Sequence, residues 1–299
     1  MLKKIVARLL LLMLFAVAGQ AQSSGVRQLA PGVYLWPGDR DRRQPANCTW
    51  VVFKDYVVVL DANFPWGARE ILTKIRTTTD KPIRYVFNTH YHGDHSYGNS
   101  VFVDRGAAVI TSQATDKELR TRGAAGWTNW RDTAHSLEGA RLEPASITFT
   151  DQMVLDDGTQ RVELIRMGPS HSNGDAVAYL PKQKILIAGD LCVTWGFGNN
   201  VADASANYDN WLHGLERMAA WGVTTVVPGH GAVGSVEVLK VQREYLADMV
   251  YGVRSGIAAG KSADELVREI DLRKHGLIAN DADANAVSIR AVYRHLTAK

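Results

Sequence analysis

With 299 residues, 46% of them hydrophobic and 22% charged, the chain can bury a full core, as one large domain or two small ones. Its net charge of +3 is small and no basic cluster runs along it, so nucleic acid finds little support as a partner. Two cysteines do not make a disulfide framework.

The N-terminus "MLKKIVARLLLLMLFAVAGQAQ" has a basic start, an apolar run from Leu9 to Ala18, and small residues near Ala18 and Ala21. That pattern is a secretory signal peptide over residues 1–21, which puts the mature start near Gln22 and the protein in the periplasm or the medium. The run is short for a span of about 20 residues, so no stable membrane insertion is expected after cleavage. An oxidising compartment would permit Cys48 and Cys192 to pair, but Cys192 reads first as a small apolar core residue.

From residue 22 onward, short β-type runs alternate with helical patterns. "GVYLWP", "TWVVF" and "YVVVLDA" read as the first strands and "WGAREILTKIRTTT" as the first helix. "IRYVFN", "AAVIT", "RVELIRMG", "AVAYLP" and "KILIAGD" continue the strands, while "NWLHGLERMAAW", "VEVLKVQREYLADMVYGVRSGI", "SADELVREI" and "ANAVSIRAVYRHL" carry helical periodicity. Sheets covered by helices follow, in one domain over 22–299 whose last part, about 260–299, is a helical extension. No repeat or long linker divides it.

The polar residues fall on this map in a regular way. "THYHGDH" sets His90, His92, Asp94 and His95 directly after the strand "IRYVFN", and chance yields such a pattern in only about one of two thousand chains of this size. His171 in "GPSHSNGD" follows "RVELIRM", Asp190 ends "KILIAGD", and His230 in "PGHG" follows "TTVVP". Each lies just past a strand's C-terminal end. In a layered α/β protein those ends share one rim, where ligands distant in sequence converge.

Seven such ligands are too many for one tetrahedral ion. His90 and His92, two apart on an extended segment, point the same way and with His171 make a three-nitrogen site. Asp94 and His95, further round the turn, join His230 in a second, with Asp190 between as a bridging carboxylate. Two divalent ions, probed first as Zn(2+), bring +4; Asp94, Asp190 and a bridging hydroxide bring −3, and the remaining charge favours an attacked carbonyl. Water held by the metals is acidified towards neutral pH and serves as the nucleophile, with Asp94 orienting it or accepting its proton. Ser170 beside His171 lacks the G-x-S-x-G elbow of a serine hydrolase.

Taken in order, "THYHGDH", "GPSHSNGDAVAYLPKQKILIAGD" and "VVPGHG", with the opening "GVYLWP...TWVVFKDYVVVLDA", resemble the metallo-β-lactamase superfamily from about Gly32 to Gly231. The resemblance implies a four-layer αβ/βα sandwich with the metals at one edge. It also implies His90, His92 and His171 on the first zinc and Asp94, His95, His230 and Asp190 on the second, a small-molecule substrate, and Asp61 as a group steadying the metal loop. Where antibiotic-degrading branches carry cysteine or serine, this chain has Asp190, as do thioesterases of the glyoxalase II type and lactonases. Where the cysteine-type enzymes place a lysine for the drug's carboxylate, it has Val193.

The expectation is therefore an exported dinuclear zinc hydrolase acting on an ester, thioester, lactone or amide-type carbonyl. The alternatives are a periplasmic β-lactamase, an iron-dependent oxidoreductase of the same fold, and a non-catalytic zinc-binding module. His135, His213, His275 and His295 lie outside the motifs and read as surface or satisfied histidines. Phe64 to Gly67, Gly123 to His135 and Trp195 to Asn207 are the expected pocket loops, with Trp127, Trp130 and Trp195 as pocket wall or core.

Overall fold

The computed structural model of the protein describes residues 25–38, 46–133, 137, 139–195, 198–279 and 282–298. The segment read as a signal peptide and His135 lie outside the described residues.

The first sheet runs in sequence order: β1 (Arg27–Ala30), β2 (Val33–Trp36), β3 (Cys48–Val52), β4 (Val57–Leu60), β5 (Ile83–Phe87), β6 (Ala108–Ser112) and β7 (Ile147–Phe149). The pairs from β1 to β4 are antiparallel and those from β4 to β7 parallel. The second sheet joins β8 (Gln152–Asp156), β9 (Arg161–Arg166), β10 (Ala176–Leu180), β11 (Ile185–Ile187) and β12 (Thr225–Val227) in reverse order.

Helices α1 (Pro65–Arg76), α2 (Gly93–Ser96), α3 (Asn99–Val103), α4 (Gln113–Glu118) and α5 (Ala124–Thr133) belong to the first half. The second half carries α6 (Tyr208–Ala219), α7 (Glu237–Ala258), α8 (Ala263–Glu269) and α9 (Ala282–Thr297).

The layers follow from the two-residue period of strands. In β4, Val58 and Leu60 enter the cluster between the sheets, where they meet Leu164, Ala178 and Ile187 of the second sheet. Val57 and Val59 point the other way, onto Ile71 and Ile75 of α1 and Phe102 of α3. A strand buried on both faces needs the unbroken apolar run that "VVVL" supplies. Helix α1 starts with Pro65 in its first turn, buries Ala68, Ile71, Leu72 and Ile75 on one stripe, and ends with Lys74 and Arg76. On the far side, Trp211, Leu215, Tyr245 and Met249 of α6 and α7 cover the second sheet, and α9 packs beside them. The result is the expected four-layer αβ/βα sandwich with a helical C-terminal extension.

One expectation is corrected, and the reading of Cys192 as a core residue holds. The expected pocket loop Gly123 to His135 is instead helical over its described residues up to Thr133, continuing α4 and a π-helical turn at Leu119–Gly123 into α5. Cys48 and Cys192 are free, buried thiols in separate apolar clusters. β1, β7 and β8 escape the sequence pattern because they are short or, in β8, largely exposed along an edge.

Candidate metal centre

The turn after β5 is fixed before any ligand is considered. Asn88 and Asn99 pair their side-chain amides at 2.8 and 2.9 Å, and Asn88 Nδ2 also donates to the His95 carbonyl. Thr89 donates its backbone N–H and its hydroxyl to Asp61 at 2.8 and 3.0 Å. Gly93 opens α2 where a Cβ would press into the Tyr97 and Phe64 rings.

Each of four imidazoles is held from outside and aims its other nitrogen inward. Thr89 Oγ spends its proton on Asp61, so His90 Nδ1, 3.1 Å away, donates to it and Nε2 is left as a buried atom with no hydrogen-bond partner. His95 Nδ1 donates to Asp61 Oδ2 at 2.9 Å, His171 Nδ1 to the Asn200 carbonyl at 2.7 Å, and His92 Nε2 to Asp203 Oδ2 at 3.2 Å. These contacts set the tautomers.

The inward atoms meet in two groups. His90, His92, His171 and Asp190 form one, and Asp94, His95 and His230 the other, with ligand atoms inside each group within 4.8 Å of one another. Asp190 belongs between them: Oδ1 lies 3.2 Å from both His95 Nε2 and His230 Nε2, while Oδ2 lies 4.0 Å from His90 Nε2 and 3.8 Å from His171 Nε2. All seven residues expected at the site are thereby brought together.

The donor set fits divalent ions. His92 Nδ1 and His171 Nε2 face each other at 3.1 Å, and His95 Nε2 and His230 Nε2 at 3.4 Å. Opposed lone pairs repel unless a cation or proton lies with them. Asp190 Oδ1 approaches two histidines without hydrogen-bond geometry to either, as an oxygen directed at a metal does. Imidazole with carboxylate suits zinc, and the two clusters suit two ions.

Without metal the site is electrostatically divided. Burial, then the neighbouring His95 and His92, push His90 well below the ordinary histidine range; burial and His92 bring His171 down to about 4. Burial also acts against a charged His230, but Asp190 and Asp94 outweigh it and raise the group to about 10. Burial opposes the Asp94 carboxylate, yet His95 and His230 hold it at about 2. The second cluster thus keeps a proton that a metal must displace.

Sequence reasoning missed the groups behind the first cluster. Asp203 is buried and, besides His92, takes the Tyr91 hydroxyl at 2.7 Å, Arg122 at 2.9 Å and the Ser205 backbone at 2.8 Å. Trp211 donates to the Leu191 carbonyl at 2.9 Å and meets the His171 ring edge-on at 5.5 Å. Nothing in "VADASAN" or "NWLHG" marks either, because their partners are set by the fold. Gly229 is obligatory for a different reason: a Cβ there would collide with Asp190 Oδ1.

The other singled-out residues sort cleanly. Trp195 is half-buried and stacks on His230 at 5.3 Å, whereas Trp127 is buried against Tyr97 and is core. The side chain of Trp130 lies outside the described residues. Ser170 is fully buried and donates to the Met167 carbonyl. His213 is exposed, His275 bonds Asp248 at 2.7 Å, and His295 meets the Tyr208 ring at 5.1 Å. Val193 is buried in the cluster under α7 and offers no cation.

A layered αβ/βα fold with a paired His/Asp cluster where strand ends of the two sheets meet supports a metal-dependent hydrolase. The family model described as the metallo-beta-lactamase superfamily matches residues 41–230, and the chain belongs to that superfamily.

Among curated proteins it is 25% identical over 245 residues to a linear primary-alkylsulfatase from a Pseudomonas strain, covering 70% of this chain and 46% of that one. It is 27% identical over 170 residues to a type 2 metallo-beta-lactamase from a Bacillus strain, covering 56% and 58%. The chain spans about half the length of the curated relatives it matches. Among solved structures, a metallo-beta-lactamase from Pontibacter korlensis has a TM-score of 0.63 at 23% identity, over 74% of this chain and 98% of that one. A sec-alkyl sulfatase has a TM-score of 0.70 at 16% identity, over 91% and 50%. Among the described residues no helix is long and apolar enough to cross a membrane.

Proposed function

We propose that the mature chain is an exported dinuclear zinc hydrolase acting on a small ester, thioester, lactone or related amide. The observation that carries this reading is Asp190, whose two oxygens face the two ligand groups at once. His90, His92 and His171 would hold one ion and Asp94, His95 and His230 the other, with Asp190 placed to serve both. Bound zinc supplies Lewis acidity, which acidifies water towards neutral pH and polarises the attacked carbonyl. The Asp94 carboxylate, the ligand carboxylate with more solvent access, stays ionised through the neutral range and orients or deprotonates the attacking water at its oxygens. Trp195 lies over the His230 side and presents an apolar face to the substrate.

Val193 argues against efficient β-lactam hydrolysis, since the buried side chain gives a drug carboxylate no partner. A second reading, cleavage of alkyl sulfate esters, draws on coverage: the likeness to a sec-alkyl sulfatase takes in 91% of this chain against 74% for the Pontibacter lactamase. Export rests on the N-terminal pattern and predicts a chain that starts near Gln22 in the extracytoplasmic fraction. Steady-state kinetics of the zinc-loaded mature protein on aryl esters, thioesters, lactones, β-lactams and dodecyl sulfate test the assignment. Turnover confined to the first three classes supports it; turnover confined to sulfate esters replaces it with the second.

A further inference from the structure

We propose that the C-terminal helix α9 is a positioning element of the metal centre, holding segment 198–206 so that Asn200 and Asp203 orient His171 and His92. The inference rests on the two-zinc reading above. Segment 198–206 has little regular structure, only a 3-10 turn at Gly198–Val201. It nevertheless carries the Asn200 carbonyl that accepts from His171 Nδ1 at 2.7 Å and the Asp203 carboxylate that accepts from His92 Nε2 at 3.2 Å. Asn200 Nδ2 also donates to the Asp190 carbonyl at 3.2 Å. A loop holds groups to that tolerance only through what packs on it.

Helix α9 supplies that packing. Val201, Ala206 and Tyr208 share one apolar cluster with Ile289, Ala291 and Val292. The Tyr208 hydroxyl donates to the Val201 carbonyl at 2.8 Å, and its ring lies 5.1 Å from the His295 ring. Helix α9 is itself anchored, by Tyr245 of α7 donating to Asn285 at 2.7 Å and by Arg290 on Asp264 of α8 at 2.6 Å. Contacts therefore run without a break from α7 and α8 through α9 and the segment to two ligand imidazoles. Helix α9 lies beyond residues 41–230, so this support is additional to the part of the chain the family model describes.

Groups that orient metal-bound histidines from behind set affinity by about 10–100-fold. Three variants of the full mature chain separate positioning from bulk stability: Ala291→Leu, which adds bulk where α9 faces Ala202 and Ala204; Tyr208→Phe, which keeps the ring and deletes the hydroxyl; and Val287→Ala, on the exposed side of α9. Zinc affinity is read by competition with a chromogenic chelator, and ligand geometry by the visible spectrum of the cobalt-substituted protein. Wild type and Val287→Ala should take up two ions alike. Ala291→Leu and Tyr208→Phe should weaken one of the two ions by about tenfold, alter the cobalt spectrum, and leave the other ion unchanged. Should Ala291→Leu fail to fold, Val292→Ala, which shortens a fully buried α9 side chain of the same cluster, takes its place with the same expected outcome. Two ions bound with wild-type affinity and spectrum in the folded variants would overturn the proposal. A wild type that binds no zinc would instead overturn the reading beneath it.

Discussion

The buried Asp61 carboxylate accepts from His95 Nδ1 at 2.9 Å with one oxygen and from the Thr89 backbone at 2.8 Å with the other. One side chain thus orients a ligand and secures the turn that carries four of them. Asp61→Asn keeps the size and tolerates the backbone, whose φ is 67°. If the amide oxygen keeps Thr89, its NH2 must face the His95 N–H, donor against donor. Zinc affinity at the second cluster should fall by about 10–100-fold with the first retained, measured by chelator competition; equal loss at both clusters contradicts the stated division.

Asp94 and Asp190 should differ in kind. Asp94 touches only the second cluster, so Asp94→Ala should leave one tight zinc and lose most turnover. Asp190 faces both, so Asp190→Ala should weaken both ions. Metal content after dialysis, read with thermal stability, checks this. Two tight ions in Asp190→Ala would show that the carboxylate bridges nothing.

The metal-free protein should depend on pH in a direction fixed by His230. Its folded pKa of about 10 exceeds the ordinary histidine value of about 6.5, so its contribution to stability is full below about 6.5 and is lost as pH rises through about 10. Zinc on the nitrogen removes that titration. The Tm of the metal-free protein should therefore decline over this interval, whereas the loaded protein should not share the decline. Zinc uptake near pH 7 should release protons, read by calorimetry in buffers of different ionisation enthalpy. Uptake without proton release contradicts the charge assigned to the second cluster.

Loss of a charge-assisted contact costs about 1.5–3 kcal/mol, which lowers affinity by about ten- to a hundredfold. With Val193 where a lysine anchor would stand, β-lactams should be turned over weakly and with poor saturation. Saturation at micromolar drug would reverse the preference between esters and lactams.

The candidate metal ligands were legible because their chemistry leaves a local trace: His90 to His95 crowd one turn, and His171, Asp190 and His230 each follow a strand. Asp61 was legible too, closing "VVVLDA". Asp203, Arg122 and Trp211 were not. They reach the site from a loop, a π-helical turn and a helix face, and only the tertiary structure sets those distances. The same holds for the stretch from Gly123 to His135, where polar and glycine residues suggest a loop, whereas 124–133 are helical and Trp127 packs with Tyr97, Tyr91 and Leu119 in one cluster.

Anomalous diffraction at the zinc edge from crystals of the zinc-loaded protein tests the two-ion centre most directly. Two peaks are expected about 3.5–4 Å apart. One should lie within bonding distance of His90 Nε2, His92 Nδ1 and His171 Nε2, the other of Asp94, His95 Nε2 and His230 Nε2, with Asp190 reaching both. A single peak at full loading, or a pair held by other residues, would contradict the account.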